Sequence, residues 1–554
     1  MEEKMAELIT TFTLIFGVSA LTLFIANKFS QPAVPAYLTA GILIGFLVNS
    51  SELIGLAQIG IAFLVFIFGL KFDPEKLTAV RNEALKTNTA QILLLGVLSF
   101  SFGYIIGLDL LQSLYFATAA TLSSSLVGLE LIAEEVDKNL IHGRLAESIN
   151  LIQDVLAVGV VVILSAPGFE PTQILINIAI ASTMILGALV IRKYLFDTIA
   201  NLAEGSTELL MLTGLTFLTT FIAVSQYFNL SIVVGSFAAG IAVARFPHNL
   251  ELLDTMGSMK DFFSAILFVT LGALVSFPSP AAIIMTFGLV LLTAFIKPAM
   301  MINSLIHQGY DPRTSFLTGV SLDQISEFAL IIAIQAWVAG IIFEPLFQAI
   351  ILATTITMTT SSYTKLYQHP LYEHLKKYNI VQSEGQILPH SNTEKPLEDH
   401  IILIGYDVQG KRIVQQLEDI DAEFLVMEND PEKISDLRKK EENFVYGNIL
   451  NHETWKYANP KQAKLIISTA PFREVSEKVL TLDTEAGKIL RADELREAEN
   501  LINTGADYVI VPEILTAKLL REHLLGIESE ENYKEELRRR SLLEVRKYLE
   551  SEEG

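Results

Sequence analysis

The stretch 143-GRLAESINLIQDVLAVGVVVIL-164 decides how the chain is read. It is long and apolar enough to cross roughly 30 Å of hydrocarbon, yet it carries a carboxylate, Asp154, near its middle, with Gln153 beside it. A carboxylate at the centre of a membrane helix costs about 2.5–3.5 kcal/mol on insertion, so it is functional by default. Such a group must be protonated, paired or bound to a cation, and a proton and a metal cation then compete for one pair of oxygens. Glu147, Asn150 and Asp154 are spaced 0, 3 and 7 and so share one helical face. Glu147 lies nearer the helix start and reads as a mouth-lining residue.

The whole chain fits that setting. Its 554 residues are 51% hydrophobic and 18% charged, with mean hydropathy +0.43, against about a quarter charged in soluble domains. The charge is unevenly divided. Residues 1–397 hold 46 Lys, Arg, Asp and Glu, and residues 398–554 hold 56. The first part reads as a bilayer domain and the second as a soluble domain of ordinary size. Formal charge is −22, and both parts are acidic, which excludes a basic nucleic-acid or anionic-lipid binder. The absence of Cys from the sequence excludes disulfides, thiolate zinc sites and thiol catalysis. No glycine-rich P-loop or metal-ligand cluster is present, so no enzyme or primary pump is expected, no catalytic residue, and no metal beyond a transported monovalent cation.

Apolar stretches of crossing length recur thirteen times, at about 8–27, 33–49, 54–70, 87–108, 111–133, 145–166, 173–191, 207–226, 229–244, 261–277, 281–305, 314–338 and 342–362. Basic loop residues check the number. Loops after odd spans carry Lys28; Lys71, Lys76, Arg81 and Lys86; Lys138 and Arg144; Arg192 and Lys193; Arg245 and Lys260; and Arg313, and loops after even spans carry none. Since Lys and Arg collect on the cytoplasmic side, the N-terminus is expected outside and the soluble domain in the cytoplasm of a multi-pass cell-membrane protein. The acidic start, Met1–Glu7, leading into some 20 apolar residues reads as a first membrane helix, not a cleaved signal. The expected divisions are a transmembrane domain at 1–366, a linker at 367–397, a Rossmann-like domain at 398–525 and a charged helical tail at 526–554 that includes Arg538–Arg540.

Two further features place polarity in the bilayer. Lys297 stands in the apolar run 285-MTFGLVLLTAFIKPAMMINSL-305, as a buried ion-pair partner, a donor to helix carbonyls or a charge balancing the ion site, and Pro298 is expected to kink the helix beside it. Spans five and twelve have helix-poor centres, 118-TAATLSSSLVG-128 and 318-TGVSLDQISEF-328. Interrupted helices in two halves of a membrane domain mark a transporter's binding site, where freed carbonyls and half-helix ends meet the ion. Asp323 and Glu327 lie in the second interruption as accessory candidates. The fold expected is therefore a polytopic α-helical membrane protein of about 13 helices, an inverted repeat with two broken helices, plus a cytoplasmic α/β domain.

These stretches, with 59-IGIAFLVFIFGLKFDPEKL-77, 232-IVVGSFAAGIAVAR-245 and 262-FFSAILFVTLGALV-275, resemble the monovalent cation:proton antiporter-2 family, and most closely its Kef-type potassium/proton antiporters with a fused regulator-of-K⁺-conductance domain. The resemblance implies a homodimer working by alternating access. It implies ion and proton binding at Asp154 with Gln153, with the broken-helix residues Thr121, Ser123 and Ser124, and an intramembrane lysine at Lys297. Gln in place of a second acid before Asp154 is similar to the electroneutral, K⁺-preferring members. Glu147, Asn150 and Asp323 depart from the family's pattern.

In the soluble part, 400-HIILIG-405, 422-AEFLVME-428, 443-NFVYGNIL-450, 463-AKLIIST-469 and 507-DYVIVPE-513 read as strands separated by helices, a parallel sheet. The nucleotide fingerprint is partial. In 405-GYDVQG-410, Gly405 and Gly410 fit the first and third positions, but Asp407 replaces the middle glycine that lets backbone approach a pyrophosphate. Glu428 ends the second strand, where it is placed to bind a ribose. An adenine nucleotide, AMP or NAD(H), is the regulator expected, a nucleoside or monophosphate being easier to admit than a dinucleotide. The segment after Ala470 reads as irregular, since the roughly 16 residues before 487-GKILRAD-493 are short for a helix plus its connections. The function expected is electroneutral K⁺/H⁺ antiport; the alternatives are Na⁺/H⁺ antiport on the same fold and a ligand-gated K⁺ efflux channel.

Overall fold

The computed structural model describes residues 2–29, 31–45, 50–72, 82–137, 140–164, 171–202, 206–245, 248–275, 277–377, 390–392, 397–440, 442–447, 449–450, 452–529, 537–539 and 542. The loop charges Lys76, Arg81 and Lys138, much of the 367–397 segment, and most of the tail, Arg540 included, lie outside them. The chain forms two compact units, Met1–Gln308 with Pro312–Gly385, and Gly309–Asp311 with Gln386–Gly554.

In the first unit each of the thirteen apolar stretches contains, among the described residues, a helix or a helix in two or three pieces. Among the described residues, eight helices have the length and hydropathy to cross a bilayer, and four shorter apolar ones accompany them. The helix Ile141–Leu164 carries Asp154. Span five is two helices, Leu110–Thr121 and Ser125–Leu131, and span twelve is Pro312–Val320 and Glu327–Val338. Local chemistry explains both breaks. The Ser124 and Ser326 side chains, on extended backbone, cap the second half-helices by accepting from Val127 N and Phe328 N, which is the competition with helix that hydroxyl residues offer. Span eleven has a π-helical turn at Leu292–Ile296 just before Lys297 and Pro298; the proline has no N–H and its ring crowds the preceding turn, so the ladder widens there.

Glycines let helices meet backbone to backbone. A Cβ on Gly41 would lie 2.1 Å from Val269 O, and one on Gly272 2.2 Å from Leu38 O. Gly69 and Gly240 make the equivalent pair, with added Cβ atoms 2.3 Å from Phe237 O and 2.2 Å from Phe66 O. Small residues in this role supply van der Waals contact where lipid removes the hydrophobic drive.

The second unit is a seven-stranded sheet of order β1-β4-β3-β2-β5-β6-β7, comprising β1 (His390–Ser391), β2 (His400–Ile404), β3 (Phe424–Glu428), β4 (Phe444–Tyr446), β5 (Ala463–Ser468), β6 (Gly487–Arg491) and β7 (Tyr508–Ile510). All pairings are parallel except β1 with β4. The order reverses between β2 and β5, the topological switch point of a doubly wound fold. Three boundaries differ from the sequence reading. The 367–397 linker contains the helix Gln368–Lys377 and β1, the helix Pro512–Ser529 runs past residue 525, and the segment after Ala470, read as irregular, holds the eight-residue helix Arg473–Leu480, short enough to fit before β6.

Gly240→Ala is expected to lower the melting midpoint of the detergent-solubilised protein through overpacking worth about 1–3 kcal/mol. Gly159→Ala, where an added Cβ meets nothing within 4 Å, should leave it unchanged.

Candidate ion-binding site

The two interruptions cross and complete each other's backbone. Ser326 N donates to Leu122 O at 3.1 Å, and the Ser123 hydroxyl donates to Leu322 O at 3.1 Å. Ile325 N is taken by the Thr357 hydroxyl at 3.2 Å, and Gln324 Nε2 reaches Ser124 O at 3.3 Å. Lys297, with no exposed surface, donates from Nζ to Gln324 O at 2.7 Å and to Leu122 O at 3.3 Å, one carbonyl from each break. Its side chain is thus a strap between the interrupted segments. A cation at the end of the half-helix Leu110–Thr121 also faces the negative end of its dipole.

Glu327, an accessory candidate in the sequence, is central. Its carboxylate is 1% exposed and accepts from the Ser124 hydroxyl at 2.5 Å, the Ser125 hydroxyl at 2.9 Å and Leu126 N at 3.1 Å. Three donors therefore occupy its oxygens. Asp154 remains partly accessible, and its electrostatic neighbours are Glu327, the Ser125 hydroxyl and Lys71. Asp154 shares the Ser125 hydroxyl with Glu327 and accepts from no backbone N–H among the described hydrogen bonds, so it is the less engaged of the two carboxylates. Asp323 is buried in the second break near Lys297, Ser361 and Thr364, and its Oδ1 has no partner.

Several sequence candidates hold the scaffold instead of facing an ion. Gln153 Oε1 accepts from Ser123 N at 2.7 Å, while Nε2 donates to Asn88 at 2.9 Å and Gln91 at 3.3 Å. The Ser123 and Ser124 hydroxyls are committed as described. The Thr121 hydroxyl bonds back to Ala117 O and Thr118 O of its own helix, so only its carbonyl turns to the centre, where Gln91 Nε2 caps it at 3.1 Å. Asn88 and Gln91 were missed in the sequence; the polar run 87-TNTAQ-91 at the start of span four was their signal. Glu147 is partly exposed, and Asn150 is 1% exposed one turn from Asp154.

In the second unit, Gly405 takes φ +95° at the end of β2, and a Cβ on Gly410 would lie 2.1 Å from Gly405 O. Both fingerprint glycines thus serve the tight strand-to-helix turn. The phosphate position is another matter. Asp407 caps the helix Val408–Asp419, its carboxylate accepting from Gly410 N at 2.9 Å, where a bound pyrophosphate would sit. Glu428 is buried and accepts from Tyr406 N at 2.8 Å, Asn429 N at 2.7 Å and Asp430 N at 3.0 Å, with Lys433 at 3.4 Å. The ribose role read for Glu428 gives way to clamping the loop, and the residues present do not fit AMP or NAD(H) with a phosphate on this helix.

An aspartate in the middle of a membrane helix, beside two crossed, interrupted helices in a bundle of membrane-length helices, defines a secondary transporter that exchanges cations for protons. The chain belongs to the sodium/hydrogen exchanger family, whose transmembrane model matches residues 14–366, and residues 401–512 match the TrkA-N domain. Among its relatives, the putative K⁺ efflux antiporter KefB of Alkalimonas amylolytica is 23% identical over 93% of this chain and 80% of that one. The putative cation/proton antiporter YbaL of Escherichia coli is 24% identical over 93% of this chain and 97% of that one. The fold is shared with the sodium proton antiporter MjNhaP1 of Methanocaldococcus jannaschii, at 16% identity and TM-score 0.53 over 68% of this chain and 99% of that one.

Two outcomes follow from this geometry. Lys297→Met should lower the melting midpoint in detergent, since it leaves the buried Gln324 carbonyl without its donor at about 1–3 kcal/mol, while Leu122 O keeps Ser326 N; Asp154→Asn should leave it near wild type. In calorimetric titration of the full-length protein, Asp407→Gly should gain at least about tenfold in NADH affinity over wild type, as removal of one like charge of ~1.4 kcal/mol would give.

Proposed function

We propose that the protein is an electroneutral K⁺/H⁺ antiporter of the cell membrane, working by alternating access as a homodimer, with its TrkA-N domain regulating exchange from the cytoplasm. The observation that carries the reading is Asp154, partly accessible beside a Glu327 whose oxygens are already engaged. One carboxylate holds either one monovalent cation or one proton, so exchanging them returns the site to the same charge. Lys297, bonded to one carbonyl of each break, ties the crossing together so that it travels with its cargo as a unit. The alternation of Lys and Arg among loops supports an external N-terminus, and relatives named for K⁺ efflux support K⁺ as the cation.

Na⁺/H⁺ exchange is the second reading, favoured by the family's description and differing only in the ion. For the TrkA-N domain, Asp407 favours a nucleoside over AMP or NAD(H). Any such ligand acts only through differential affinity for two states of the transporter.

Proteoliposomes holding a pH gradient test the reading. K⁺ should collapse the gradient at a lower concentration than Na⁺, at a rate independent of membrane potential, and Asp154→Asn should reduce the flux to that of empty liposomes. Retained exchange in that variant would remove Asp154 from the mechanism.

A further inference from the structure

A cavity of about 250 Å³ lies at the Leu164 end of the helix Ile141–Leu164, lined among others by Tyr115, Val161, Leu164, Ser231, Ile332 and Gln335. That end is on the membrane face away from Lys365, because Lys365 pairs with Glu135 just before the helix begins. The cavity stops short of the ion site. Val161, in its lining, is 2% exposed and stands seven residues beyond Asp154, about 10 Å along the axis. Val158, one turn beyond Asp154, and Phe328, next to Glu327, belong to the same buried apolar cluster as Val161 and Ile332. An apolar constriction of this kind stops a hydrated cation without any charge of its own.

Two contacts hold that constriction against the neighbouring helices. Phe328, Ile332 and Gln335 are spaced 0, 4 and 7, which is one face of the half-helix Glu327–Val338. At the start of this face the Phe328 ring meets Phe68 of the helix Ser50–Lys71, with centroids 4.9 Å apart. Lys71, the cationic neighbour of Asp154, is three residues past Phe68, so the two rings meet beside the ion site. Toward the other end Gln335 Oε1 accepts from the hydroxyl of Ser231, which caps the helix Ile232–Val243, at 2.8 Å. Gln335 Nε2 is buried with no partner, so among the described residues this is the one hydrogen bond of that side chain. Phe68 and Ser231 thus belong to the two helices that Gly69 and Gly240 bring into backbone contact. Glu327, first residue of the half-helix, is bonded instead to the first break. One short helix therefore carries part of the ion centre at its start and the closing contacts along its face.

We propose that this face is a gate between the cavity and Asp154, with Ser231 and Gln335 as its latch: the latch breaks and Phe68 and Phe328 part when the ion site turns to the Leu164 face. The gate rests on the antiporter reading above, which requires Asp154 to meet the two faces of the membrane in turn.

Because the sequence holds no Cys, a single introduced thiol reports the opening. Val161→Cys is placed in the full-length protein in liposomes and labelled with a membrane-impermeant methanethiosulfonate reagent from the Leu164 face. Adding Ser231→Ala or Gln335→Leu is expected to raise the labelling rate about fivefold, the equivalent of the ~1 kcal/mol that one hydrogen bond contributes. The two together should exceed neither alone, as for partners in one interaction, and Ser231→Thr, which keeps the hydroxyl, should leave the rate unchanged. Glu147→Cys, labelled from the opposite face, should react equally fast with and without the latch. Only variants with the melting midpoint of their parent are compared; if Gln335→Leu does not fold, Gln335→Asn, too short to reach Ser231, takes its place. An unchanged rate at position 161 in both latch variants, or an equal rise at positions 161 and 147, overturns the gate while leaving K⁺-driven proton flux by the wild-type protein intact. A wild-type protein that moves no protons in response to K⁺ or Na⁺ overturns the antiporter reading and the gate together.

Discussion

Hydrocarbon offers no hydrogen bonds, so a helix interrupted in a membrane must find partners for every freed backbone group inside the protein. That constraint organises the first unit. The carbonyls released at Thr121, Leu122 and Gln324 are met by Gln91, by Ser326 N with Lys297, and by Lys297 again. The amide released at Leu126 is met by Glu327. Lys297 and Glu327 thus serve the backbone first, and the ion site is what remains once those obligations are discharged. Glu327, bonded three times, differs in this way from Asp154, which owes the backbone nothing among the described hydrogen bonds.

The outline of this arrangement was legible in the sequence because the bilayer makes polarity scarce. Thirteen apolar stretches, the one-sided basic loops, Asp154, Lys297 and the two hydroxyl-rich interruptions all stand out against an apolar background. What was hidden is direction. A sequence lists Thr121, Ser123, Ser124 and Gln153 as oxygen-bearing residues at the break but cannot say that the first bonds its own helix and that Gln153 grips span four. Nor does it reveal that Glu327 reaches across to residues some two hundred positions earlier, since that pairing depends on the two breaks meeting in space.

The soluble unit illustrates the converse. Its alternating strands and helices announced a parallel sheet, and its broken glycine motif was visible at Asp407. The structure separates two jobs that the motif normally combines: Gly405 and Gly410 are needed so that a strand can turn into a helix at close quarters, whereas the middle position matters only to a phosphate. With an aspartate there, the turn persists and its own carboxylate supplies the anion that the helix end attracts.

The glycine pairs Gly41–Gly272 and Gly69–Gly240 have a mechanical meaning as well. Where two backbones touch directly, no rotamer lies between them to be rearranged, and sliding one helix along the other would drive carbonyls into Cα atoms. The helices Ala33–Ile44, Ser50–Lys71, Ile232–Val243 and His248–Ala273 are joined by such contacts or packed beside them. They behave as one stiff plate, and the give that transport demands is left to boundaries where longer side chains can repack.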